Sequence, residues 1–308
     1  AYRYALSSVI LWSTVASAFK VAFRAVDYVT LLYYATLVSI AVLLAIVIIR
    51  GTARDLAPQR GSLARSALCG FLNPFLYYMV LFKAYSVLPA QEAQPLNYTW
   101  PVVIALLAVP VLGDRLSPRS IGALLVSFSG VVVISTRGNV FGMQIANPLG
   151  ASLAVGSSVV WAAFWLLNVR DERDPVVKLL LSFIFGFIWI AAAVLVLARL
   201  GIRPEQIHGV AAGGFPSGEP YAFPPHIGIA GFLGCAYVGC FEMGFTFVLW
   251  MKALSLTERT AQVSNLILLS PFLSLFFIRF VVGERILISS VAGLVLIVTG
   301  ILIQRSAK

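Results

Sequence analysis

The sequence predicts an all-α membrane protein: ten transmembrane helices in two five-helix repeats that cross the bilayer in opposite senses. Three observations lead there: too little charge for a water-facing surface, ten apolar runs of helix length, and a motif series that returns about 170 residues later. Of the 308 residues, 60% are hydrophobic and 11% charged, at a mean hydropathy of +0.95. A soluble domain carries about 25% charged residues. One span needs about 20 apolar residues, so ten use on the order of 200 and leave short connections. Continuous apolar runs satisfy their backbone groups in hydrocarbon only as helices. The alternating polarity of barrel strands is absent.

The expected spans are residues 4–23, 28–49, 65–82, 93–112 and 120–136, then 149–169, 176–200, 227–251, 260–282 and 287–304. Two connections are longer than the rest. Residues 50–64 carry Arg50, Arg54 and Arg60, and residues 201–226 are rich in Gly and Pro. The first apolar segment reads as a retained anchor, with no cleavable signal peptide evident.

The net charge of +10 fits cytoplasmic loops and anionic headgroups better than nucleic acid. Placing both termini in the cytoplasm of an inner-membrane protein puts 14 of the 22 Lys and Arg residues there. Cys69, Cys235 and Cys240 lie in apolar stretches without disulfide or metal-ligand spacing. His208 and His226 share one polar loop. Neither a metal site nor a cofactor is expected, and the oligomeric state is not readable.

The repeat carries the organisation. Pro101-x11-Gly113-Asp114-Arg115 returns as Pro271-x11-Gly283-Glu284-Arg285, at an offset of 170. Gly130 and Gly300 keep that offset, and Lys83-Ala84 matches Lys252-Ala253 at 169. Five spans per half is an odd number, so two such halves must be inverted. In that plan a site between the halves opens alternately to either side.

The stretch Asn97-Tyr98-Thr99-Trp100-Pro101 through Gly113-Asp114-Arg115-Leu116-Ser117, with Gly122 and Gly130, resembles the first EamA repeat of the drug/metabolite transporter superfamily. Leu269-Ser270-Pro271 through Gly283-Glu284-Arg285 resembles the second, and Leu11-Trp12-Ser13 the opening helix of bacterial members. Asp114 stands where the family more often has Glu, and the 201–226 connection is longer than usual. The resemblance implies the drug/metabolite transporter fold, with one EamA-like repeat in residues 1–147 and a second in 148–308. It also implies cytoplasmic termini, a cavity lined by helices 1, 3, 4, 6, 8 and 9, and cargo among amino acids and other metabolites.

Glu242 is the most informative position, because an acid at helix centre costs about 2.5–3.5 kcal/mol on insertion scales and must face protein or a wet cavity. It reads as a proton-coupling carboxylate, an anchor for a substrate ammonium, or a packing acid. Thr246 shares its face one turn on. Asn73 is its repeat counterpart, followed on the same face by Tyr77; both read as cavity-lining groups or interhelical glue. Pro101 and Pro271 free the carbonyls of Asn97 and Ile267 and read as hinges or static kinks. Asn97, Tyr98 and Trp100 add polar and aromatic surface at the first kink, and Asn265 at the second. Trp12, Trp161 and Trp165 read as an aromatic box or as belt residues. Lys20, Lys83 and Lys252 are expected to snorkel, and Gly70, Gly130, Gly239, Gly244 and Gly300 to permit close helix contact.

The expected activity is secondary transport by alternating access, with export of small metabolites such as amino acids. Without a Walker motif, coupling would come from protons or a counter-substrate. The alternatives are a channel, or an intramembrane enzyme acting on lipid or peptide. The enzyme would need a buried catalytic pair that the sequence does not supply near Glu242.

Overall fold

The computed structural model describes residues 1–57, 62–112, 117–142, 145–169, 171–204, 221–256 and 266–305. Among these the secondary structure is helical: α1 (Tyr2–Ala22), α2 (Tyr28–Ile49), α3 (Ser62–Gly70), α4 (Tyr77–Val87), α5 (Ala90–Asn97), α6 (Trp100–Leu112), α7 (Pro118–Ser135), α8 (Pro148–Val169), α9 (Pro175–Leu200), α10 (Ile229–Tyr237), α11 (Phe245–Ser255), α12 (Ser270–Phe277) and α13 (Ile288–Arg305). Among the described residues, seven helical stretches are long and apolar enough to cross a membrane, including the continuous runs Ser62–Val87 and Ile229–Ala253. Leu266–Val282 and Ile288–Ile303 are shorter apolar helices. The chain is therefore an integral, multi-pass membrane protein.

Local chemistry sets the helix ends. Asp27 caps α2, its Oδ1 accepting from the amides of Val29 at 2.8 Å and Thr30 at 2.9 Å. Ser117 and Asp174 do the same for α7 and α9, each followed by a proline that suits the first helical position. Gly201 ends α9 at φ +64°, a left-handed turn that glycine adopts without penalty.

Helices occupy the described parts of the expected spans, but the fourth, ninth and tenth are not among the seven stretches long enough to cross. The described part of the ninth begins with a 3-10 turn over Leu266–Leu269 and closes with a π-helical turn over Ile278–Val282, and three others differ in their interiors. The third is interrupted by a π-helical turn over Phe71–Leu76, where Asn73 leaves helical geometry at φ −145°, ψ 118°. Pro74 cannot donate an amide there, which favours the wider turn. The eighth carries a matching turn over Val238–Glu242, beside Gly239 and Gly244. The fourth is two helices, α5 and α6, separated at Tyr98 and Thr99. Residues 260–265 of the ninth span and the Gly113-Asp114-Arg115 turn lie outside the described residues.

Close packing goes with the small residues. A Cβ on Gly70 would collide with the Ser182 carbonyl, and one on Gly239 with the Ala35 carbonyl. Between α7 and α13, a Cβ on Gly130 would meet the Gly293 carbonyl at 2.5 Å, and one on Gly300 the Ala123 carbonyl at 2.6 Å. Backbones approach this closely only where a side chain is missing. Lys20 donates to the Leu88 carbonyl at 2.5 Å, while Lys83 and Lys252 lie over the Tyr28 and Tyr4 rings. Lys83 is buried, whereas Lys252 is exposed.

A candidate substrate cavity

A cavity of about 230 Å³ lies between α1, α4, α5, α6, α8 and α11. Its wall is mostly aromatic. Trp12 and Phe19 come from α1, Tyr77 and Tyr85 from α4, Tyr98 and Trp100 from the break before α6, Trp161 and Trp165 from α8, and Phe247 and Trp250 from α11. Glu242, Gln94 and Asn97 supply further polar groups. Helical spacing brings these rings inward: Trp12, Val15 and Phe19 form one stripe, and Tyr77, Leu81 and Tyr85 another.

The rings contact one another in a chain that crosses four helices. Trp12 meets Phe247 at 5.6 Å and Trp250 at 5.5 Å between ring centres. Phe247 meets Trp161 at 5.7 Å, and Trp161 meets Tyr77 at 4.7 Å. Edge and tilted contacts of this kind suit the ring quadrupoles and hold each ring in place.

Glu242 sits at the end of its π-helical turn. Tyr78 donates to its Oε1 at 3.2 Å, and its Oε2 finds no partner among the described residues. The Oε1 of Gln94 and the indole N–H of Trp165 are likewise unpartnered. Asn97 is engaged, accepting from the Tyr77 hydroxyl at 3.4 Å and donating to Ser157 at 2.8 Å. A buried polar group without a partner costs free energy, and these three belong to residues that line the cavity although the atoms themselves are turned out of its open space.

Most of the sequence candidates meet at this cavity: Glu242, Tyr77, Trp12, Asn97, Tyr98, Trp100, Trp161 and Trp165 line it. Asn73 and Thr246 do not. Asn73 is fully buried at the break in the third span, both amide atoms unpartnered. Thr246 turns its hydroxyl back onto the Phe241 carbonyl. Pro101 and Pro271 stand at the second positions of α6 and α12, each beginning the later part of a broken span. Asn265 lies outside the described residues. Sequence reasoning missed Tyr78, Phe19, Tyr85, Gln94, Phe247 and Trp250.

One turn beyond Gln94, the beginning of α5 is held by the loop after α12. Glu284 accepts from the amides of Ala90 at 2.9 Å and Gln91 at 3.3 Å. The Gln91 side chain answers by donating to the Arg285 carbonyl at 2.7 Å and accepting from the Leu287 amide at 2.6 Å. Glu92 pairs with Arg137 at 2.8 Å. These contacts fasten this end of the bundle. Far along the chain, Arg173 grips both carboxylate oxygens of Asp171 and also donates to Ser66 at 2.9 Å. That guanidinium holds the Asp171 carboxyl below its usual range.

The model of the EamA-like transporter family matches residues 1–136 and 148–305. The chain belongs to that family. It is a transporter, not an enzyme. Among curated relatives it is 27% identical to the aromatic amino acid exporter YddG of Ancylobacter novellus over 132 residues, which cover 42% of this chain and 44% of the exporter. That match spans less than half the exporter's length. An uncharacterized transporter of Clostridium kluyveri is 25% identical over 79% of this chain and 72% of its own. A solved crystal structure shares the fold at a TM-score of 0.61 and 20% identity, covering 98% of this chain and 95% of its own.

Proposed function

We propose that this EamA-family protein is a secondary transporter that exports a small metabolite, such as an amino acid, by alternating access. Its ten spans form two inverted repeats, residues 1–147 and 148–308, with both termini on the cytoplasmic face of the cell membrane. The cavity between them is the substrate site. Pro101, Pro271 and the π-helical turns over Phe71–Leu76 and Val238–Glu242 act as hinges, and Glu242 couples transport to protons or to a counter-substrate.

One observation carries the reading. The close contacts pair up under exchange of the halves. Gly130 against Gly293 becomes Gly300 against Ala123 at the same offset of 170, and Gly130 against Ile297 becomes Gly300 against Ser127. Helix pairs obey the same rule. Packing of α1 on α11 corresponds to α8 on α4, and of α1 on α12 to α8 on α6; α7 packs on its own counterpart α13. Such a relation supports a two-fold axis running between the halves, with the cavity on it. Both halves contribute to its wall. A site on such an axis can be exposed to either side by the same rocking of one half on the other.

Counterflow in proteoliposomes tests the reading, with labelled phenylalanine, leucine and phenethylamine as probes. A carrier gives saturable flux stimulated by unlabelled probe on the opposite side. Linear, unstimulated flux with all of them would point to a channel and overturn it. Glu242→Gln keeps the acceptor for Tyr78 and removes the charge, so exchange should persist while uptake driven by a pH gradient is lost. Unchanged gradient-driven uptake would take Glu242 out of the coupling.

A further inference from the structure

We propose that the cavity prefers an arylalkylamine, a monocation carrying one aromatic ring, over the amino acid with the same side chain. This rests on the transporter reading and narrows its substrate class.

The chemistry of the lining residues points to a donor-rich cation, which a side-chain rotation of Glu242 and Gln94 would meet. Glu242 Oε2 and Gln94 Oε1 are both acceptors, both lack partners among the described residues, and both residues line the cavity. An ammonium carries three donors and the charge that a carboxylate surrounded by protein and lipid needs. Around it stand Trp12, Tyr77, Trp161, Phe247 and Trp250, linked at centroid distances from 4.7 to 5.7 Å. Their faces attract a cation and their edges pack an aryl group.

The same wall disfavours a substrate carboxylate. Among the described residues lining the cavity there is one carboxylate and no Lys, Arg or His. An α-carboxylate would enter beside Glu242 and lose its hydration without a cation in return. The donors on this wall are neutral, the indole N–H groups of Trp12, Trp100, Trp161, Trp165 and Trp250 among them, and the Asn97 amide already donates to Ser157. Neutral donors match a ring hydroxyl or carbonyl better than a full negative charge, so a phenolic amine should bind at least as well as its unsubstituted parent.

The test uses three ligands with one ring: phenethylamine, phenylalanine and 3-phenylpropionate. Each is titrated against the full chain in a non-ionic detergent, reading the melting temperature, which a ligand raises in proportion to the logarithm of its saturation. Phenethylamine should act at about tenfold lower concentration than phenylalanine, because the two share ring and ammonium and only the amino acid must strip water from a carboxylate, a cost of at least about 1.4 kcal/mol. 3-Phenylpropionate should give no shift. Glu242→Gln should remove the advantage of the amine. The inference is overturned if phenylalanine acts at equal or lower concentration, and equally if none of the three shifts the melt. Both results leave the carrier reading to stand or fall on counterflow. If Glu242→Gln does not fold, the ligand series on the unaltered chain still decides.

Discussion

Glu284 offers the sharpest single perturbation, because its carboxylate does one countable thing. It accepts the first two amides of α5, donors that no residue of that helix can satisfy. A hydrogen bond to a charged group contributes about 1.5–3 kcal/mol net. The 2.9 Å contact with Ala90 is well placed, while the 3.3 Å contact with Gln91 lies just past the usual range and counts for little. Truncation by Glu284→Ala should therefore cost about 2 kcal/mol, lessened if water reaches the freed amides. That is about a 30-fold shift toward arrangements in which the 284–287 loop leaves α5. Glu284→Gln keeps one acceptor and loses the charge, so the cost should be about 1 kcal/mol and the shift about fivefold.

Hydrogen–deuterium exchange reads this directly, because amides exchange when their partners leave. Peptides covering Ala90 and Gln91 should lose protection by about 30-fold in Glu284→Ala and by about fivefold in Glu284→Gln. Peptides from the middle of α9, remote from the contact, should not change. Unaltered exchange at Ala90 and Gln91 in a folded Glu284→Ala protein would refute the claim that this carboxylate fastens α5. A loss spread evenly over the molecule would refute the local reasoning too.

Three further outcomes are expected. Asp171→Asn should lower stability by about 3 kcal/mol, the low end for breaking a buried ion pair, measured by melting in detergent. Because Arg173 depresses the folded-state pKa of Asp171, that contribution is complete above the unfolded value of about 3.9. It fades as pH falls through the lower folded value, so the two melting curves should converge only in that acid range. Gly300→Val should cost about 1–3 kcal/mol by forcing α7 from α13, since its Cβ would stand 2.6 Å from the Ala123 carbonyl; an unchanged melt would discount that seam. A cysteine at position 217 should react with an impermeant maleimide on intact cells and one at position 62 should not, and the reverse pattern would overturn the orientation.

Much of the fold was legible because a membrane leaves few choices: apolar runs of helix length have one solution, and capping residues and glycines mark where they end and touch. The cavity was legible through its tryptophans and its one intramembrane acid. What failed was helical arithmetic across an irregular turn. Tyr77 comes one α-helical turn after Asn73, so regular spacing put them on one face. The π-helical turn over Phe71–Leu76 takes an extra residue and rotates α4 relative to α3. Tyr77 then faces the cavity while Asn73 does not, and its neighbour Tyr78 is the one that reaches Glu242. Thr246 fails for the same reason, lying beyond the matching turn at Val238–Glu242. Gln94, Phe247 and Trp250 carried a usable signal in their spacing. Glu284 carried none, since its partners are backbone amides nearly 200 residues away.

The proposed symmetry also accounts for where the halves resemble each other and where they part. Positions on α7 and α13 face their own counterparts, so a residue that must be small in one half must be small in the other. Gly130 and Gly300 are alike for that reason. The π-helical turns over Phe71–Leu76 and Val238–Glu242 fall at related places in the two halves, while a third, over Ile278–Val282, has regular helix at the corresponding residues of α6. Side chains at the two related turns differ: Glu242 lines the cavity and Asn73 does not. An amide in one half and a carboxylate in the other keep the backbone relation, and among the described residues the cavity wall carries a single carboxylate. A cavity of about 230 Å³ with one charge has room to bind one ion or one cationic group at a time, which is the condition for exchanging one for the other.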